Sequence, residues 1–276
     1  MLLQLGSRSY DITRRSLVMG ILNRTPDSFY DRGRYWDLDQ FYRRAEDLAA
    51  DGADLLDVGG VKAGPGPEVG EQEEMDRVVP AIEALHARFD VPISVDTWRA
   101  SVARESYRVG AVVGNDISGF ADPDYLPEAA RAGATVVATH IRLAPRIPDP
   151  EPRYADVVAD VSAFLVERAE RARRAGLSDR QIVIDAGLDL GKTATQSLEL
   201  LQASDRLAAL GWPLLLSASN KTFLGVMFGL EVGERAEATL AAHAIGVGLG
   251  ARILRAHDVR AARRVADTLA AVLEAA

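Results

Sequence analysis

The sequence predicts an α/β fold of eight strand-then-helix units closing into a (β/α)8 TIM barrel behind a short N-terminal hairpin. Three observations predict it. Eight short runs are almost continuously apolar and rich in β-branched residues, as strands buried on both faces are. Each run is followed by a segment with helical periodicity. The length of 276 residues suits one such barrel, for which roughly 250 is usual, with no linker to divide it, so residues 1–276 read as a single domain. An open doubly wound sheet also takes eight strands, but no Gly-x-Gly-x-x-Gly follows the first of them.

The elements follow in order. Residues 2–12 alternate loosely about Gly6 and form the hairpin, expected to lie as a lid over one end of the barrel. The first barrel strand is 17–23, and a loop rich in Pro, Asp and Gly leads to a helix over 38–50, capped by Asp37 or Asp39. Strand 54–58 precedes a helix over 72–89, strand 91–96 a helix over 99–108, and strand 111–115 a helix over 126–132. Strand 135–140 is followed by a long amphipathic helix over 154–175. Ile182, Val183 and Ile184 form the next strand, after which Gly187 and Gly191 turn the chain and Lys192 with Thr193 opens a helix through Leu201. The last units are strand 213–217 with helix 234–249, and strand 251–255 with helix 259–275.

Composition narrows the function. A net charge of −8 argues against a nucleic-acid partner and makes any cluster of Arg and Lys inside a site informative. The absence of cysteine excludes disulfides, thiol catalysis and cysteine-based zinc sites. No apolar run approaches the roughly 20 residues needed to span a bilayer, so no membrane partner is expected, and the start lacks a signal-peptide pattern. A cytoplasmic location is therefore expected.

In a barrel the active face is built from the C-terminal ends of the strands. There the chain places Asn23, Asp57, Asp96, Asn115, His140, Asp185, Lys221, Arg255 and His257. Asp185 is the sharpest signal, because a carboxylate where a β-branched run stops is costly unless donors satisfy it; it either binds a ligand or caps the following loop. Arg255 and His257 alternate along an extended segment and would point the same way as an anion clamp. The set suits a heterocycle rich in N–H donors joined to an anionic group. Gly187 to Gly191 is one residue too short for a nucleotide phosphate loop, which removes that reading of Gly-Leu-Asp-Leu-Gly-Lys-Thr193.

Met19-Gly-Ile-Leu-Asn-Arg-Thr-Pro-Asp-Ser-Phe29, Ile93-Ser-Val-Asp-Thr97, Asn115-Asp-Ile-Ser118, Leu190-Gly-Lys-Thr193, Ser219-Asn-Lys-Thr-Phe-Leu-Gly225 and Arg255-Ala-His-Asp-Val259 resemble the motifs of dihydropteroate synthase, almost end to end and in the same order. A folate-dependent methyltransferase domain matches the last two motifs less well. The resemblance implies the same barrel and a reaction in which the amine of p-aminobenzoate displaces pyrophosphate from a dihydropterin. It implies that Asp96, Asn115, Asp185 and Lys221 hold the pterin, and that Asn23, Arg255 and His257 hold the pyrophosphate, with Asn23 on its Mg2+. Lys221, Arg255 and Asp31 would be catalytic, Asp31 stabilising the carbocation-like state. Thr222 would face the p-aminobenzoate carboxylate, and the late helices, including the Ala-rich 236–244, would form a homodimer.

The chain also departs from that pattern. Val61-Lys-Ala-Gly-Pro-Gly66 stands where the family has Glu-Ser-Thr-Arg-Pro-Gly, so Ala63 and Gly64 replace the Thr and Arg of the second loop, and Lys62 is one position off. Asn220 replaces an Arg, Ser217 and Thr139 replace a Gly and a Met beside the pterin, and Leu188-Asp189-Leu190 replaces Phe-Gly-Phe. Several of these changes fall on the anion and amine side, while the pterin anchors persist. They imply a pterin-site protein with weak or no synthase activity; the alternative is an active synthase with an unusual second loop.

Overall fold

The computed structural model describes residues 1–24, 38–64 and 66–275. The expected roles of Asp31 and Asp37 fall outside the described residues. Strands β1 (Leu2–Leu5) and β2 (Arg8–Asp11) form the antiparallel hairpin. Strands β3 (Leu17–Asn23), β4 (Leu55–Gly59), β5 (Ile93–Asp96), β6 (Val113–Asp116), β7 (Thr135–Thr139), β8 (Ile182–Asp185), β9 (Leu214–Leu216) and β10 (Ala251–Ala256) pair in parallel in the order β10-β3-β4-β5-β6-β7-β8-β9 and close into a barrel. The helices are α1 (Leu38–Ala50), α2 (Glu71–Arg88), α3 (Ala100–Arg108), α4 (Tyr125–Ala132), α5 (Val157–Arg174), α6 (Ala194–Gln202), α7 (Ser204–Ala208), α8 (Thr222–Phe228), α9 (Ala236–Gly248) and α10 (Val259–Ala275).

Two apolar layers hold this arrangement. Outward residues such as Val18, Leu56, Val95 and Ile184 pack under the helices through Leu48, Ile82, Val102 and Leu165. Inward residues Leu17, Met19, Leu55, Val113, Val137, Val183, Leu215 and Ile253 fill the barrel and meet Leu3, Leu5 and Ile12 of the hairpin. Burying each such aliphatic side chain is worth about 1.5–3 kcal/mol. The hairpin thus plugs the end where the strands begin, Thr135 donating from its hydroxyl to the Gln4 carbonyl, and the strand C-termini are left as the mouth.

Where the elements differ from expectation, local bonding explains it. Helix α5 starts at Val157 because the Asp156 carboxylate caps the amides of Val158 and Ala159, each at 3.0 Å. Thr193 is the cap of α6, with Gln196 completing a reciprocal capping box, so the helix proper starts one residue after it. Helices α7 and α8, five and seven residues long, are too short for periodicity to reveal. Among the described residues no helix is long and apolar enough to cross a membrane.

Candidate active site

On one side of the mouth, strand register sets the contacts. Asp57 on β4 lies opposite Ser94 on β5, Gly59 opposite Asp96, and Asp96 opposite Asn115 on β6. Asp57 is fully buried and accepts from Ser94 Oγ at 2.6 Å, from Asn115 Nδ2 at 3.0 Å and from Arg255 Nε at 2.7 Å. Arg255 reaches across from β10, and its Nη2 donates to Asp96 Oδ2 at 2.8 Å. Burial pushes the Asp96 carboxyl above its ordinary value, Arg255 opposes that shift and Asp57 adds to it. Against the cost of burial, Asp57 and Asp96 hold the Arg255 guanidinium above its own. Gly59 lies between Asn23 and Asp96, its Cβ position 3.4 Å from Asn23 Oδ1 and 3.5 Å from Asp96 Cβ.

On the other side, the backbone supplies the partners. Asp185 ends β8, and its Oδ1 caps the next loop by accepting from the Gly187 amide at 2.8 Å. Burial raises its pKa, while that bond and the charges of Lys221, Lys192 and Arg255 oppose the rise. Lys192 is buried: its Nζ donates to the carbonyls of Gly187 at 2.8 Å, Leu190 at 3.1 Å and His140 at 3.3 Å. It also lies 2.8 Å from His140 Nδ1, and burial holds its own pKa down to about 7. Burial and the Lys192 charge hold His140 neutral, down to about 3. The ring packs edge-on against Phe164, centroids 4.8 Å apart.

Lys221 and Thr222 sit at the start of α8. Lys221 Nζ donates to the Leu188 carbonyl at 3.1 Å; burial lowers its pKa, opposed by Asp189 and Asp185. Thr222 is exposed, and its amide donates to Asp189 Oδ2 at 2.5 Å; the Phe223 amide donates to both Asp189 oxygens, at 3.1 and 3.3 Å. His257 Nδ1 lies 2.9 Å from Ser219 Oγ, which also accepts from the His257 amide at 3.1 Å. Burial, followed by the charges of Arg255, Arg44 and Lys221, holds His257 down to about 4.

The structure brings Asp96, Asn115 and Arg255 into one hydrogen-bonded network and sets Asp185 and Lys221 within its electrostatic reach. Arg255 bonds Asp57 and Asp96 while His257 bonds Ser219, and the two stay within electrostatic reach of each other. Asp57, read in the sequence only as one strand-end residue among nine, is the hub of the network. Lys192 is a buried strut rather than only the start of a helix. Just past the second loop, Arg146 donates to the Pro67 carbonyl at 2.5 Å and Arg99 to that of Val69 at 2.7 Å.

A parallel barrel with paired carboxylates, amide and cations across its mouth defines a binding site for a polar heterocycle, and residues 19–257 match the description "pterin binding enzyme". Over 94% of the chain the sequence is 44% identical to a protein of Mycobacterium leprae named inactive dihydropteroate synthase 2, 91% of which is covered. It is 40% identical, again over 94% of the chain and 89% of the relative, to dihydropteroate synthase of Bacillus subtilis. The solved Xanthomonas albilineans dihydropteroate synthase with 4-aminobenzoic acid superposes with a TM-score of 0.90 at 38% identity, covering 99% of this chain and 98% of that one. The chain belongs to the dihydropteroate synthase family.

Proposed function

We propose that the mouth binds a pterin-like ring through Asp96, Asn115, Asp185 and Lys221, and that the chain makes dihydropteroate poorly or not at all. The carboxylates accept from an amino-pyrimidinone edge, Asn115 both donates and accepts, and Lys221 is a compact cation for a ring oxygen or nitrogen. The observation that carries the second half is the loop after β4, where Ala63 and Gly64 leave no arginine. Arg255 cannot stand in for it without leaving Asp57 and Asp96, two carboxylates it already bridges. Each 1.4 kcal/mol of lost stabilisation of a departing pyrophosphate slows the reaction about tenfold.

Magnesium fits this site as an ion arriving with the phosphates. Asn23 offers it one hard amide oxygen, and among the described residues no group of three or more His, Cys, Asp or Glu could cage it. Bound there, it would neutralise phosphate charge. Pairing of two copies is supported by an apolar groove of about 520 Å³ lined by Leu198, Leu224, Phe228 and Ile245 of α6, α8 and α9; sedimentation at micromolar concentration tests it.

The functional test is product formation from the dihydropterin pyrophosphate and p-aminobenzoate with magnesium, alongside calorimetric titration with a pterin. We expect pterin binding, turnover far below about 1 per second, and a gain of tenfold or more when Lys62→Ser, Ala63→Thr and Gly64→Arg are combined. Turnover by the unaltered protein at about 1 per second or faster overturns the weak-synthase reading. Absence of pterin binding overturns the reading of the mouth.

A further inference from the structure

Asp189 has an unusual backbone and a committed side chain. It stands at φ 66°, in the left-handed region that disfavours residues with a Cβ, although Asp is among those that tolerate it. Its amide donates to Ser197 Oγ at 3.2 Å, which helps fix the turn. Its carboxylate takes the amides of both Thr222 and Phe223. Helix α8 has only seven residues, so what matters is these two N–H groups themselves rather than a helix dipole. The neighbouring cation is also committed: Lys221 bonds the Leu188 carbonyl and feels both Asp189 and Asp185.

We propose that Asp189 sets the substrate class at this end of the mouth, admitting aromatic amines whose far end is uncharged and shutting out those that carry a carboxylate. The inference rests on the reading of the mouth given under Proposed function. A ligand carboxylate arriving beside Thr222 meets two amide donors already taken, a lysine whose charge two carboxylates share, and a fixed negative charge that repels it. A carboxamide of the same shape brings N–H donors instead, and the Asp189 oxygens can accept them. The exclusion does not depend on the second loop, because Asp189 belongs to the loop after β8 and its carboxylate is held by the amides of α8.

The test titrates the full-length protein with p-aminobenzoate and with p-aminobenzamide, isosteres that differ in charge, each with and without a pterin. The unaltered protein should prefer the amide at least tenfold. Asp189→Gly, which suits a positive φ, should bind p-aminobenzoate at least tenfold more tightly than the unaltered protein does and lose the preference. Asp189→Asn, which keeps the shape and removes the charge, should move in the same direction. Equal binding of the two amines by the unaltered protein, or an unchanged ratio in both variants, overturns the proposal. If the unaltered protein binds neither amine, both variants must still acquire p-aminobenzoate binding, and their failure to do so overturns it as well. Loss of pterin binding in the parallel titration defeats the reading of the mouth, whereas the amine ratio defeats only the role of Asp189.

Discussion

The two sides of the mouth hold their polar groups in different ways. Across β4, β5, β6 and β10 the side chains satisfy one another: Ser94, Asn115 and Arg255 all converge on Asp57, and Arg255 continues to Asp96. Across β8, β9 and the loops that follow them, charged side chains are satisfied by the main chain: Asp185 by Gly187, Lys192 by three carbonyls, Lys221 by Leu188, and Asp189 by two amides. A side-chain network is fragile at its hub, because removing one member strands several others in low dielectric. A main-chain-anchored group can be replaced one at a time, since the backbone stays in place. Asp189 and Asn220, two of the departures from the family's pattern, lie on this second side, whereas the altered 61–66 loop follows β4 on the first.

The harshest way to break this contrast is Asp57→Ala. It leaves Asn115 and Ser94 without their acceptor and the Arg255 guanidinium with one carboxylate in place of two. Removing one partner of a buried pair costs about 3–5 kcal/mol, and we expect that loss in a urea titration followed by circular dichroism. A loss under about 1 kcal/mol would mean that the hub is not a hub.

Lys192→Met is the matching experiment on the other side, and the expected loss is smaller, about 2 kcal/mol. The substitution keeps the length of the side chain but withdraws charge-assisted bonds, worth roughly 1.5–3 kcal/mol, from carbonyls that local rearrangement of the 187–191 turn can partly re-satisfy. His140 also loses the charge that helps keep its ring neutral. A cost as large as that of Asp57→Ala would erase the distinction between the two sides.

The sequence made strand ends more legible than the partnerships between them, for a physical reason. The near-continuous apolar runs locate a strand's end to within a residue or so, and in a barrel every strand end faces the same mouth; Asp57, Asp96, Asn115 and Asp185 were therefore readable as a set. Partnership was not readable, because it depends on which strand lies beside which and at what register. Asp57 and Arg255 are 198 positions apart and meet only because the barrel closes β10 onto β3. Alternation placed Arg255 and His257 on one face, but it did not show that β10 ends at Ala256 or that the His257 ring bonds Ser219. Asp189 was recognisable as a carboxylate beside an acidic pocket, yet its capture by two amides depends on α8, which no periodicity shows.

The mildest test concerns a residue just behind the second side. His243 of α9 is 1% exposed, lines a cavity of about 200 Å³ with Ser219, Thr239 and His257, and has no partner for either ring nitrogen among the described residues. A buried polar group without a hydrogen bond costs about 1–3 kcal/mol, so His243→Leu should stabilise the protein at neutral pH by about 1 kcal/mol, less whatever the changed shape takes back. The pH dependence separates this from simple repacking. Burial holds His243 down to about 4, against an ordinary value near 6.5. As the pH falls below 6.5 the unfolded chain binds a proton there that the folded one refuses until about 4. His243 therefore withdraws stability across that window, while the raised carboxyls of Asp116 and Asp185 act in the opposite sense in both proteins and cancel in the difference. The advantage of His243→Leu over the unaltered chain should widen by about 2 kcal/mol between pH 7 and pH 5. An advantage that stays constant over that range would show that the ring is already hydrogen-bonded or protonated in the folded protein, and that the region behind Ser219 is as well satisfied as the network around Asp57.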